Sequence, residues 1–328
     1  MKVLVTGATG FIGRQVVHRL REAGVELRLA SRQPERLDAG TDAVLMPGFD
    51  APAAAFLALT RDVTDIVHCA GLNNDQGNAT EADFLAANAQ LSARLAHAAA
   101  TQASGRFIHL SSVRAVIGAR ASAAIDEDTV PEPQDAYGRS KREAEIAVLG
   151  AYASHGRTDA AILRLPPVYG IGMKGNLATL MRLADTALPM PTGALTANRS
   201  LLSSQSAARA VWHLLCHSQP LRQIYTASDV PPVSVAAIIG AFRRGFGRPT
   251  RLMTVPAGPM RAAALLLGKR AVWDGLTATQ ICDPSLLASQ GWAPETSTLE
   301  RLTEIARQLS RDKAFQTGSE GRARTTRS

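Results

Sequence analysis

Short apolar runs alternate along the chain with longer stretches in which apolar residues recur every three to four positions. Lys2-Val3-Leu4-Val5-Thr6 reads as a buried strand, and the spacing of Val16, Val17 and Leu20 predicts a helix from about Ile12 to Ala23. A second strand and its exit cover Glu26 to Arg32, a third Ala43 to Met46, and a fourth Asp65 to Gly71. An Ala-rich helix is expected over roughly Thr80 to Ala103, a fifth strand over Arg106 to Leu110, a helix from about Ala136, and a further strand over Ala160 to Leu165. Strands alternating with helices imply the α/β class, with a doubly wound parallel sheet. After Pro166 the pattern loosens: a helix over Leu177 to Ala187, an irregular segment marked by Pro189, Pro191 and Gly193, two short strands, and several helices ending with Leu299 to Leu309. The expected division is a nucleotide-binding domain over 1–166, a smaller α/β substrate-binding region over 167–313, and a disordered basic tail over 314–328.

Composition narrows the class. With 328 residues, 46% of them hydrophobic, the chain can build one large α/β domain or two coupled ones. The net charge of +8 is dispersed apart from the tail. A basic surface suits nucleic acid, a membrane or an anionic small molecule; the small molecule fits the remaining features, and no nucleic-acid partner is expected. Cys69, Cys216 and Cys282 are isolated and form neither a disulfide framework nor a metal pattern, which points to a reducing cytoplasm. Met1-Lys2 runs straight into a strand with no signal peptide, and no apolar run reaches membrane-spanning length. Ala262 to Gly268, between Arg261 and Lys269, reads as an ordinary helix, with interfacial contact as a minor option.

The chemistry begins at the first strand. Gly7-Ala8-Thr9-Gly10-Phe11-Ile12-Gly13 lies between strand and helix, where a glycine-rich turn lets the backbone approach a pyrophosphate at the positive end of the helix dipole. This is the start of a Rossmann-type domain. An NAD-binding unit normally ends its second strand with an acid that holds the ribose hydroxyl. Here Ser31 and Arg32 stand in that place, and both suit a 2′-phosphate, so NADP is the expected cofactor and NAD the alternative. Asp50, after the third strand, and the small-residue exit Cys69-Ala70-Gly71 complete the expected cofactor contacts; His68 reads as a packed core residue. Tyr137 and Lys141 fall about one turn apart on one helix face. A fixed ammonium favours the phenolate, so the pair suits proton transfer in an alcohol/ketone interconversion.

Thr6-Gly-Ala-Thr-Gly-Phe-Ile-Gly13, Ser111-Ser112 and Tyr137-x-x-x-Lys141 together resemble the extended short-chain dehydrogenase/reductases. More narrowly the chain is similar to the NAD-dependent epimerase/dehydratase group acting on nucleotide sugars, a likeness that extends to Leu163-Arg164-Leu165-Pro166-Pro167-Val168-Tyr169-Gly170 and Gly291-Trp292-Ala293-Pro294. Lys174-Gly175-Asn176-Leu177, Leu188-Pro189-Met190-Pro191 and Asn198-Arg199-Ser200-Leu201 resemble the branch that makes bacterial surface sugars: UDP-N-acetylhexosamine 4-epimerases and reductases of UDP-4-keto-6-deoxy sugars. The resemblance implies that Tyr137 is the acid/base, that Lys141 holds the nicotinamide ribose, and that a hydroxyl of Ser111-Ser112, preferably Ser112, bonds the reacting sugar oxygen. It implies that Asn88 supports the proton relay, that Pro166 lies beside the cofactor, and that Asn176 and Arg199 bind the nucleotide diphosphate.

Three departures leave the sugar open. Ile117 stands where Val-Tyr-Gly is common, Pro167 where UDP-galactose epimerases often have asparagine, and Leu202-Ser203-Ser204-Gln205-Ser206 lacks the usual Val-x-Asp. The leading expectation is an NADP-dependent reductase of a nucleotide-linked 4-keto sugar, with a nucleotide-sugar 4-epimerase second. A non-catalytic dinucleotide sensor or assembly factor, and a reductase of a non-nucleotide ketone, are the alternatives from other classes. A homodimer is compatible with the chain.

Overall fold

The computed structural model describes residues 1–325 except 39, 74–78, 119, 188 and 269, without the side chains of 263, 270–272 and 313–325. The first half runs β1 (Lys2–Thr6), α1 (Phe11–Glu22), β2 (Glu26–Ser31), β3 (Asp42–Leu45), α2 (Ala53–Thr60), β4 (Asp65–His68), α3 (Glu81–Phe84), α4 (Leu91–Gln102), β5 (Phe107–Ser112), α5 (Ala136–Ser154) and β6 (Ala160–Leu165). The second half adds β7 (Val168–Tyr169), α6 (Gly175–Ala184), β8 (Asn198–Arg199), β9 (Leu202–Ser203), α7 (Ser204–Cys216), β10 (Ile224–Thr226), β11 (Val233–Ser234), α8 (Val235–Gly245), α9 (Ala257–Leu266), α10 (Arg270–Thr277), α11 (Ser285–Ser289) and α12 (Thr298–Thr325).

Seven strands form one parallel sheet in the order β10-β6-β5-β4-β1-β2-β3. Val3, Leu4 and Val5 are fully buried, as a strand covered on both faces requires. On one face Val16, Val17 and Leu20 of α1 pack with Ala207, Val211 and Leu214 of α7. On the other, Leu59, Leu95, Ala99 and Val148 come from α2, α4 and α5. The strand order reverses between β1 and β4, which opens a crevice at their C-terminal ends. A separate core unites Leu177, Leu180, Ile238, Ile239, Phe242 and Leu302 from α6, α8 and α12.

One expectation meets a different outcome. The sheet does not stop at residue 166, because β10 pairs with β6, and α7 covers one face. The long helix expected over Thr80 to Ala103 is continuous from Glu81 to Gln102: Thr80 opens it with a capping box to Asp83, and α3 and α4 are joined through a π-helical turn, Leu85–Gln90. The backbone of α12 is helical as far as Thr325, and residues 326–328 lie outside the described residues. Among the described residues no helix is long and apolar enough to cross a membrane.

Candidate active site

The turn after β1 is shaped by its glycines. Gly7 has φ 67°, a left-handed value that favours glycine, and a Cβ there would stand 2.8 Å from the Ala70 amide nitrogen. The turn therefore packs directly on the exit of β4. A Cβ on Gly13 would overlap the Gly7 carbonyl oxygen, so α1 begins immediately against the turn. Gly10 caps α1 without a side-chain acceptor, and the first turn carries no acid. The leading amides of Phe11 and Ile12 thus present the positive end of the helix to the crevice, the arrangement that fits a pyrophosphate. At the β4 exit, burial pushes the Cys69 thiol up to about 12, which makes it an uncharged wall. Asp50 lies exposed in the loop after β3, and Pro166 is buried just beyond β6.

At the end of β2 the two expected contacts separate. Ser31 is buried; its Oγ lies 3.2 Å from Thr9 Oγ1 and accepts from the Gln33 amide at 3.1 Å. It builds the turn, while Arg32 is exposed. A cleft of about 290 Å³ is lined nearby by Thr9, Arg14, Arg36 and Leu37, with Asp38 held by Arg21 at 2.8 Å. Arg14 and Arg36 were not anticipated from the sequence. The signal was present, since Arg36 follows Arg32 by four positions in the same loop.

The π-helical turn carries Asn88 inward, with 1% of its surface exposed. Its Oδ1 accepts from the Leu72 amide at 2.7 Å, and its Nδ2 donates to Leu72 O at 3.1 Å and Ser140 Oγ at 2.9 Å. Asn88 thereby ties the β4 exit to α5. His68, expected in the core, is fully buried and held neutral, pushed down to about 3 chiefly by burial.

Asp135 caps α5, accepting from the Gly138 amide at 2.6 Å, and also pairs with Arg114. That pair joins the start of α5 to the turn after β5. The half-buried Tyr137 ring meets Phe84 edge-on at 5.9 Å. Lys141 is buried, and its Nζ donates to Leu110 O at 2.7 Å. Burial lowers it to about 8, against the opposing pull of Glu145 and Cys69.

The two serines at the end of β5 point to opposite faces, as successive strand residues must. Ser111 is buried and donates to Glu145 Oε1 at 2.6 Å. Its hydroxyl is committed to the interior, contrary to a substrate contact. Ser112 is half-buried, and its Oγ accepts from the Arg114 amide at 3.2 Å. Glu145 is also gripped by Arg164 at 3.0 and 2.8 Å and by Arg142 at 3.0 Å. This buried pair went unread in the sequence.

Asn176 is exposed in the first turn of α6, whose N-terminus has no side-chain cap. Arg199 is a strap: its Nη2 donates to Gly275 O and to Ala278 O, the latter at 3.3 Å. Its Nε is buried without a partner, so the guanidinium is only partly committed.

A glycine cradle at a helix N-terminus, a tyrosine and a buried lysine on one helix define a dinucleotide-dependent enzyme acting at an alcohol or ketone carbon. The chain belongs to the NAD dependent epimerase/dehydratase family, whose profile matches residues 3–227. It is 29% identical over 312 residues to a UDP-glucose 4-epimerase of Vibrio cholerae, covering 93% of this chain and 94% of that one. It is 28% identical over 319 residues to a dTDP-6-deoxy-L-talose 4-dehydrogenase (NAD(P)(+)) of Kitasatospora kifunensis, with the same 93% and 94% coverage. Its fold is similar to that of a UDP-glucose 4-epimerase from Thermotoga maritima, with a TM-score of 0.76, 19% identity, and coverage of 96% of this chain and 100% of that one. The chain is therefore an NAD(P)-dependent epimerase or reductase.

Proposed function

We propose that the chain is an NADP-dependent reductase of a nucleotide-linked 4-keto sugar, a UDP-sugar, in bacterial surface polysaccharide synthesis. The observation that carries this reading is the exit of β2, where the exposed Arg32 takes the place of an acid and Arg36 lines the cleft beside Thr9. Two cations near a 2′-phosphate favour NADPH, the usual external reductant. When bound, the nicotinamide supplies hydride to the sugar carbon. Tyr137 donates the proton to the oxygen, Lys141 holds the nicotinamide ribose and favours the phenolate that remains, and Ser112 bonds the reacting oxygen. Asn88 supports the relay by fixing the β4 exit against α5. Asn176, at the uncapped start of α6, receives the diphosphate, with Arg199 beside it. A cytoplasmic homodimer goes with this reading.

The second reading is a UDP-hexose or UDP-N-acetylhexosamine 4-epimerase, favoured by the Vibrio cholerae relative over nearly the whole chain. Nucleotide released from the purified protein, followed by a panel of UDP- and dTDP-4-ketosugars with NADPH, separates the two. Consumption of NADPH with formation of the 4-hydroxy sugar supports the reductase. Tightly held NAD+, with interconversion of UDP-hexoses and no external reductant, establishes the epimerase instead.

A further inference from the structure

His109 lies within β5, fully buried and in register with His68 on β4. The two rings lie 5.2 Å apart and are tilted by 32°. Their partners differ. His68 is satisfied at both nitrogens, by Thr6 Oγ1 at 2.6 Å and Ser92 Oγ at 2.8 Å. His109 turns its Nε2 to Lys141 Nζ at 3.4 Å, and its Nδ1 is buried with no partner.

An ammonium is a donor only, so the lone pair of His109 must sit on Nε2 and the proton on Nδ1. That tautomer leaves a buried N–H without an acceptor, a penalty that an apolar side chain at this position would not carry. Among the described residues the contact with Lys141 is the one bond the ring makes, and it is what selects the tautomer. Burial and the neighbouring Lys141 charge hold His109 well below the usual imidazole range, so the lone pair persists at neutral pH.

The groups facing Lys141 come from three elements. Tyr137, one turn earlier, and Glu145 share its helix; Tyr137 is the phenol that Lys141 is proposed to tune, and the Glu145 carboxylate is engaged by Arg164, Arg142 and Ser111. Cys69, at the β4 exit, is uncharged, and so is His68 behind it. Among the described residues His109 and the Leu110 carbonyl, both from β5, are the acceptors within reach of the ammonium.

We propose that His109 is a positioning residue: with the Leu110 carbonyl it engages two of the three N–H groups of Lys141 and leaves the third for a ribose hydroxyl of the nicotinamide cofactor. This rests on the role proposed for Lys141. His109 touches neither cofactor nor substrate, and it acts by keeping Lys141 protonated and aimed.

The test is cofactor binding against pH, which requires no knowledge of the sugar. NADPH is titrated by calorimetry from about pH 6.5 to about pH 9.5 into wild type, His109→Leu and His109→Gln. Wild-type affinity should weaken with rising pH through a midpoint near the Lys141 value of about 8. In His109→Leu the ammonium loses an acceptor, so the midpoint should fall by roughly half a unit or more. Binding should then be roughly two- to threefold weaker at about pH 8 and nearly unchanged at about pH 6.5. His109→Gln offers a carbonyl oxygen near the place of Nε2 and should keep the wild-type midpoint. His109→Phe fills the ring volume without a lone pair and replaces the leucine variant if that one fails to fold. A wild-type affinity independent of pH overturns the role of Lys141 and the proposal together. A wild-type midpoint that the leucine or phenylalanine variant leaves in place overturns His109 alone.

Discussion

Arg164→Met removes one half of the ion pair beneath the site. Arg164 and Glu145 are 1% and 0% exposed. Glu145 accepts from Arg164 at 3.0 and 2.8 Å, from Arg142 at 3.0 Å and from Ser111 at 2.6 Å. Methionine is an unbranched apolar replacement, and it deletes two of those four bonds while leaving the carboxylate buried. Breaking such a pair by removing one partner costs about 3–5 kcal/mol. Two features point to the lower end. Arg142 remains as a counter-charge, and the unpartnered Nη1 of Arg164 disappears with the substitution. The expected loss is therefore about 3 kcal/mol, read as a lower urea midpoint at unchanged slope. Glu145→Gln combined with Arg164→Met removes the isolated charge and should recover part of the loss. A single-variant loss below about 1 kcal/mol, or a double variant worse than the sum of its parts, would refute the reasoning that each charge of this buried pair compensates the other.

Three further outcomes are expected. Tyr137→Phe keeps the ring against Phe84 and removes the proton donor, so NADPH should bind as before while turnover falls about 10²-fold or more in a stopped or continuous assay. Gly13→Ala drives a methyl into the Gly7 carbonyl, so thermal stability should drop and dinucleotide binding should be lost in a fluorescence titration; wild-type behaviour would mean that the turn relaxes. Arg32→Asn with Arg36→Asn should weaken NADPH roughly ten- to a hundredfold and leave NADH nearly unchanged, an effect that shrinks with added salt; equal losses for both cofactors would detach these arginines from the 2′-phosphate.

The parts legible in the sequence are those whose partners lie close along the chain. The turn from Gly7 to Gly13 needs glycine for local reasons, a left-handed φ and a helix that starts against its own turn. Tyr137 and Lys141 share a face because the helix period puts them there. The apolar strands announced themselves because a sheet covered on both faces leaves no room for polar alternation. The fold class follows from these elements and their order.

What stayed hidden depends on direction and distance. Ser111 and Ser112 are adjacent, and a strand sends one to each face; the sequence does not say which face holds the crevice. The structure answers through Glu145, 34 positions away from Ser111. Arg199 was expected at the nucleotide diphosphate, and its bonds to Gly275 O and Ala278 O were not legible because that backbone lies more than seventy residues downstream. Asn88 reaches Ser140 because a π-helical turn inserts into an otherwise helical pattern, which propensity does not mark. In each case the side chain's chemistry was evident and its partner was not. Residue type names what a group can do, and only the packed partner decides whether it is spent on the fold or left for a ligand. On that criterion Ser111 and Glu145 belong to the fold, whereas the start of α1 after Gly10 has no side-chain cap and Arg32 is exposed, which is why the proposed function assigns those two places to the dinucleotide.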